Sequence, residues 1–405
     1  MTTPAPDASP SRASSGERPL TVLLGCDTFS PDINGAARFA ERLAAGLVQR
    51  GHDVHVSAPN TRWRRTAPRT EVIEGESLTM HRLPSVRLPW HEWLRFVWPW
   101  RSKHYARQVL DAVNPDVVHI QSHIVIGRGL AREARRRGIP VIATNHVMPE
   151  NILDSTRLPE ALNRVLLTLA WADAKRTFDL TAAVTTPTRR AADFLETTID
   201  IAGVVPISCG IDKANYTPDL APRTENRVVF VGRLTSEKQV DVIVRAVARL
   251  DPALDTRLDL VGDGDQRAAL ERLAEELGIG DRVTFFGHTT DEVLRGALTR
   301  ASVFAIASIA ELQSIATMEA MASGLPVVAA NAVALPHLVS DGENGYLFEP
   351  GDVDALVARL TDVLTAEPEE RARMQRASLR MVDAHDITRT LDTFEALYRG
   401  DALPA

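Results

Sequence analysis

Only two cysteines, Cys26 and Cys209, occur in 405 residues, and each sits beside an apolar stretch in a different half of the chain. That excludes a disulfide framework and a thiolate metal centre; the two thiols read as small core residues in a reducing compartment. No uncharged apolar run reaches about 18 residues, so no helix is expected to cross a bilayer. A basic excess is missing too: 46 Lys and Arg against 53 Asp and Glu leave a net charge of −7. A general nucleic-acid binder would carry the opposite balance. There is no G-x-G-x-x-G fingerprint, which argues against an ordinary dinucleotide site. No His, Asp, Glu and Cys cluster suggests a metal, and no short repeat suggests a solenoid. Residues 1–18, MTTPAPDASPSRASSGER, lack apolar residues in a run and read as a disordered tail. The apolar stretch that follows is too short for a signal-peptide core, so a cytoplasmic protein is expected.

What is present is an alternation of short β-branched runs with amphipathic helices. In the first half the runs are TVLLG (21–25), DVHVSAP (53–59), DVVHIQ (116–121), PVIATNH (140–146) and AAVTTP (182–187). Between the first two, Phe39, Leu43 and Leu47 recur every four residues and Gly51 supplies a stop. The pattern restarts after PISCGIDKANYTP (206–218), with RVVFVGRL, RLDLVGDG, RVTFFGH, SVFAIAS and PVVAA. Strands apolar on both faces and separated by helices predict parallel sheets covered on both sides. The expected organisation is two doubly wound α/β domains, 19–205 and 206–380, with a C-terminal helix in 381–405 packing back across them. Ligands are expected at the carboxyl ends of the strands, in a cleft between the domains.

Four motifs carry candidate chemistry. In AELQSIATMEAMASGLPVV (310–328), Ser314 is the expected N-cap of a helix over 315–322, Gly324 its left-handed cap and Pro326 its stop. Glu311 then falls in the loop before the helix and Glu319 one turn inside it; the plain alternative is two surface carboxylates. VGRLTSEKQVD (231–241) puts Arg233 and Lys238 after a strand, where cations and free helix amides suit an anionic ligand. Its alternative is a solvated cap in which Glu237 offsets Lys238. DTFSPDINGAA (27–37) places Gly35 at a helix start, where backbone amides could approach a phosphate, or simply make a turn. His146 ends an apolar run, where a structural hydrogen-bonding role competes with a reactive one. The Asp263-Gly-Asp265 spacing falls in a strand-to-helix turn, where Asp and Gly are expected for conformational reasons.

In their order along residues 20–400, these pieces resemble the retaining glycosyltransferases of the large group 1, family 4 type. That family includes phosphatidylinositol mannosyltransferases and bacterial glycolipid glycosyltransferases. The matching elements are DTFSPDINGAA, the His146 strand end, GID (210–212), VGRLTSEKQVD, VGDGDQRAAL, the Glu311-x7-Glu319 pair with EAMASGLPVV, and DGENGYLFEPGD (341–352). The resemblance implies the GT-B fold: two Rossmann-like domains with an interdomain cleft. It implies that Gly35 lends an amide to the donor diphosphate, which Arg233 and Lys238 neutralise. Glu311 would then bind donor-sugar hydroxyls and Glu319 the ribose, with His146 lining the sugar pocket. The resemblance implies no cofactor and no metal, the donor being GDP-mannose or a UDP-hexose. Many members have Glu-Gly-Phe-Gly-Leu where this chain has Glu311-Leu-Gln-Ser-Ile, so Ser314 replaces a glycine whose amide contacts the donor.

The stretch SVRLPWHEWLRFVWPWRSKHYAR (85–107) holds four of the six tryptophans, Trp90, Trp93, Trp98 and Trp100. Arg87, Arg95, Arg101, Lys103 and Arg107 lie among them, a mixture that suits an anionic bilayer interface. The expected acceptor is therefore a membrane lipid or glycolipid, met peripherally at the inner face of the plasma membrane; a packed loop or a soluble sugar pocket is the alternative. Rival activities on the same fold are a nucleotide-sugar epimerase, a phosphorylase and a non-catalytic nucleotide-sugar-binding module.

Overall fold

The computed structural model describes residues 18–32, 34–63, 66–87, 95–147 and 159–404. The expected disordered tail thus lies outside the described residues except for Arg18, which pairs with Asp116. The chain divides into two compact units, Met1–Ala143 with Thr177–Ala182 and Thr144–Arg176 with Ala183–Ala405. Among the described residues no helix is long and apolar enough to cross a membrane.

The first unit runs through β1 (Thr21–Gly25), α1 (Gly35–Gln49), β2 (Asp53–Pro59), β3 (Arg69–Ile73) and β4 (Glu76–Leu83). A short pair follows, β5 (Ser85–Arg87) and β6 (Arg95–Val97), then α2 (Ser102–Val113), β7 (Val117–Ile120), α3 (Ile126–Arg136) and β8 (Val141–Thr144). The strand order is β8-β7-β1-β2-β4-β3. All these pairings are parallel except β3–β4. Val22, Leu23, Leu24, Val117 and Val118 are fully buried, as is the α1 stripe of Phe39, Leu43 and Leu47, which packs on β2 and β4. The β3–β4 hairpin was not expected. Its two-residue turn uses Glu74 and Gly75, both at positive φ (49° and 82°), and lacks the Asn-Gly or Asp-Gly signal that marks such turns in a sequence.

The chain continues through α4 (Glu160–Phe178), whose last two residues belong with the first unit. Next come β9 (Ala183–Thr186), α5 (Arg189–Ile199), β10 (Val205–Pro206), β11 (Arg227–Val231), α6 (Val240–Arg249) and β12 (Arg257–Val261). They are followed by α7 (Arg267–Glu276), β13 (Val283–Gly287), α8 (Asp291–Arg300), β14 (Val303–Ile306), α9 (Ile315–Ala322) and β15 (Val327–Ala330). The chain closes with β16 (Gly345–Phe348), α10 (Val353–Leu364), α11 (Pro368–Val382) and α12 (Ile387–Arg399). Strands β11–β16 form one wholly parallel sheet, ordered β13-β12-β11-β14-β15-β16. Its inner strands are buried on both faces, with Val228, Phe230, Phe304 and Val327 at 0% exposure, which is why they read as continuous apolar runs. The start of α12 is tied to the 208–211 segment of its own unit: Ile211 N donates to His385 O and Ile387 N to Ile211 O. In each sheet the strand order reverses once, between β1 and β7 in the first and between β11 and β14 in the second.

Candidate active site

β11 and β14 run side by side, with Val228 opposite Val303 and Val229 opposite Phe304. Because the order reverses between them, the loops leaving their carboxyl ends diverge and open a crevice of the kind that receives ligands in such sheets. Arg233 leaves β11 directly after Gly232, and Lys238 ends a single 3-10 turn before α6. Glu311 stands in the loop between β14 and α9, as the capping pattern predicts. Of the three, Lys238 and Glu311 are brought into contact. Lys238 Nζ lies 2.5 Å from Glu311 Oε1, and the two side chains are only 14% and 12% exposed. Arg233 Nη2 lies 3.5 Å from Glu237 Oε1, so Glu237 offsets Arg233 and not Lys238. Half-buried cations require a counter-charge. Carboxylates of the same unit supply it here, and phosphate oxygens could take over the role.

Two glycines let the neighbouring turns come together. A Cβ on Gly262 would lie 1.9 Å from the carbonyl oxygen of Gly232, and one on Gly264 2.3 Å from that of Leu234. The backbones are then stitched by Gly232 N to Val261 O, Leu234 N to Asp263 O and Gln266 N to Leu234 O. Within this turn Asp263 accepts from Gly264 N and lies 3.5 Å from Arg267, while Asp265 accepts from Gln266 Nε2. Both acids are engaged by the turn itself.

α9 spans the predicted residues. Ser314 caps it, its hydroxyl accepting from Thr317 N at 3.2 Å and from Thr317 Oγ1 at 2.8 Å. The Ser314 hydroxyl is thus engaged by the first turn of its own helix. Glu319 is buried in the second turn, and Gly324 takes the left-handed conformation (φ 74°) that ends the segment. In the first unit, Gly35 is the first residue of α1, capped by Asn34 Oδ1 accepting from Ala37 N, and open space surrounds the position its Cβ would occupy. His146 follows β8. Part of its surface is exposed, yet burial lowers its pKa from 6.5 to about 3, so the ring is neutral throughout the neutral pH range.

Of the tryptophan segment, Trp90 and Trp93 lie outside the described residues. Trp98 and Trp100 are exposed and stacked, their ring centroids 4.8 Å apart. Trp63, not singled out from the sequence, is 71% exposed. Arg95 is turned to its own unit, donating to Thr61 O and lying 3.9 Å from Asp32, whereas Arg87, Arg101 and Lys103 are exposed. Residues that support the Glu311 loop, among them Thr188, Ser208, Gln313 and His385, had no signal in the sequence. Their partners stand 104 to 182 positions apart, beyond any spacing rule.

Two Rossmann-like parallel-sheet units are the architecture of the GT-B fold class. The solved sucrose-phosphate synthase of Thermosynechococcus elongatus shares this fold, with a TM-score of 0.78 at 20% identity over 95% of this chain and 99% of that one. The profile described as "Glycosyltransferase Family 4" matches residues 33–215 and that described as "Glycosyl transferases group 1" matches 213–381. The chain belongs to this glycosyltransferase family. It is 28% identical over 375 residues to the GDP-mannose-dependent alpha-mannosyltransferase of Mycolicibacterium smegmatis, covering 90% of this chain and 92% of that protein. It is 27% identical over 332 residues to a GDP-mannose-dependent alpha-(1-6)-phosphatidylinositol dimannoside mannosyltransferase of Mycobacterium tuberculosis, covering 79% and 82%.

Proposed function

We propose that this glycosyltransferase moves a hexose, mannose or glucose, from a nucleotide diphosphate sugar to an acceptor hydroxyl, retaining configuration and using no divalent metal. The observation that carries this reading is the Lys238–Glu311 pair at the β11/β14 switch point, with Arg233 on the same strand-end loop. Cleaving the sugar–phosphate bond builds negative charge on the departing nucleotide. Fixed cations already in place stabilise that charge without reorganisation. When the diphosphate takes Lys238, Glu311 is released to accept hydrogen bonds from the sugar. Glu319 is assigned to the ribose, Gly35 and Ser314 to the donor, and neutral His146 to the sugar pocket.

GDP-mannose is the first donor to test, since relatives along most of the chain are named for it. A lipid acceptor is supported by the name of the phosphatidylinositol dimannoside relative and by the exposed Trp98 and Trp100, followed in the chain by exposed Arg101 and Lys103. Aromatic rings and cations together favour an anionic bilayer surface.

A panel of nucleotide sugars, assayed by thermal shift and by donor hydrolysis with and without EDTA, tests the donor. Turnover of GDP-mannose or a UDP-hexose that survives chelation is expected; activity abolished by EDTA overturns the metal-free mechanism. Sedimentation with vesicles containing anionic phosphatidylinositol should carry the protein down, and the double change Trp98→Ala/Trp100→Ala should reduce that fraction. Equal sedimentation of the two proteins, or none by the wild type, would remove the bilayer contact.

A further inference from the structure

The loop that carries Glu311 is held from several sides. Ile309 N donates to Glu237 O at 3.0 Å, Ala334 N to Glu311 O at 3.2 Å, and Thr188 Oγ1 to Leu312 O at 3.1 Å. Gln313, also buried, closes the loop with its side chain. Its Oε1 accepts from Cys209 N at 2.7 Å, and its Nε2 donates to Ser208 Oγ at 3.1 Å. The 208–209 segment is itself fixed: Thr390 Oγ1 donates to Ser208 O at 3.0 Å, and Ser208 Oγ lies 3.0 Å from His385 Nδ1.

Counting donors and acceptors orients this network. Ser208 Oγ already accepts from Gln313 Nε2 and from Gly210 N, so its one proton points to His385 Nδ1, the shorter of its two remaining contacts; Gln313 Oε1 is 3.4 Å away. That requires the Nδ1 lone pair to be free, and burial together with the neighbouring His337 holds His385 down at about 4. Every polar atom of the Gln313 amide is then used within the protein. The side chain thus bridges the Glu311 loop to the 208–209 segment, two residues from a carboxylate that must meet a ligand.

We infer that Gln313 is a positioning residue for transfer: through Cys209 and Ser208 it fixes the loop so that the Glu311 carboxylate is held at the donor sugar. The inference rests on the reading of Glu311 as a sugar-binding group. A carboxylate displaced by an ångström loses most of its value in the transition state while still allowing the nucleotide to bind. The signature is therefore a loss in kcat with little change in donor KM.

The test uses Gln313→Met, similar in length but unable to serve Cys209, on the full chain with GDP-mannose and UDP-glucose. We expect kcat to fall about 10- to 100-fold with donor KM within about threefold, and Gln313→Glu, which keeps the acceptor oxygen, to recover to within about fivefold of wild type. In a Glu311→Ala background, Gln313→Met should cost less than about twofold more, because coupled residues are not additive. If Gln313→Met does not fold, Ser208→Ala removes the Gln313 Nε2 bond together with the Ser208 Oγ contacts to Gly210 N and His385 Nδ1, and a kcat loss of about threefold is expected. A harmless Glu311→Ala sinks the donor-site reading itself. A damaging Glu311→Ala with a harmless or fully additive Gln313→Met, or an unaffected Ser208→Ala where that variant carries the test, sinks the positioning role alone.

Discussion

The two units share a doubly wound topology but furnish their switch points differently: a buried carboxylate on backbone amides in the first, two cations each beside a carboxylate in the second. In the first, Asp27 follows β1 and is buried against the start of α3. Its carboxylate accepts from Val125, Ile126 and Gly127 amides at 3.1, 2.9 and 3.4 Å and from the Ser122 hydroxyl. The anion that a helix N-terminus attracts is thus supplied by the chain itself. In the second, the crevice holds Arg233 and Lys238, each resting on a carboxylate that can let go. The same architecture holds a closed structural joint in one unit and, on the proposed function, would seat an anion in the other. Topology indicates where a ligand could bind; the sign and accessibility of the side chains decide whether one does.

The largest effect should come from removing the seat. Lys238→Ala is expected to lower kcat about 10²- to 10³-fold, the range for losing one fixed transition-state donor. Lys213→Ala, at an exposed pair with Asp383, should stay near wild type. Equal rates for the two would mean that the diphosphate lies elsewhere. Asp27→Ala should instead act on stability, costing about 2–3 kcal/mol in denaturant unfolding because buried amides lose their acceptor. An unchanged unfolding midpoint would show that the joint is dispensable.

The smallest effect sharpens the contrast through pH. Burial raises the Asp27 carboxyl above its usual 3.8, partly opposed by hydrogen bonds from Ile126, Ser122, Val125 and Gly127. The folded state then binds this proton more readily than the unfolded chain does. The group's stabilising contribution is complete below 3.8 and is lost as pH rises through the folded value. Asp27→Asn has no such titration. The stability of the wild type relative to this variant should therefore decline on raising pH from about 3.5, and a constant difference would show that Asp27 titrates normally.

Much of this was legible in the sequence, for identifiable reasons. Strands buried on both faces announce themselves as unbroken apolar runs, so β1, β2, β11 and β14 could be placed closely. The α9 cap could be read because Ser314, Gly324 and Pro326 each limit the backbone locally. The β3–β4 hairpin and β16 were not anticipated, the former because Glu74-Gly75 carries a weak turn signal. At the site, residue types near strand ends pointed to Arg233, Lys238 and Glu311. The alternative reading, a solvated cap, offered Glu237 to Lys238 by proximity in sequence. The structure gives Lys238 to Glu311 instead, because neighbouring strands bring residues 73 positions apart into contact. The Gln313 network could not be read at all, since it joins four segments with no common periodicity.

The glycine contacts between the two strand-end turns restrict how this enzyme could be re-engineered. With Gly262 against Gly232 and Gly264 against Leu234, residues 232–234 and 262–264 form one interlocked piece of backbone. Enlarging either glycine would shift the 232–234 loop that carries Arg233 along with it. New donor preferences would more readily arise from side chains projecting off this block than from insertions within it.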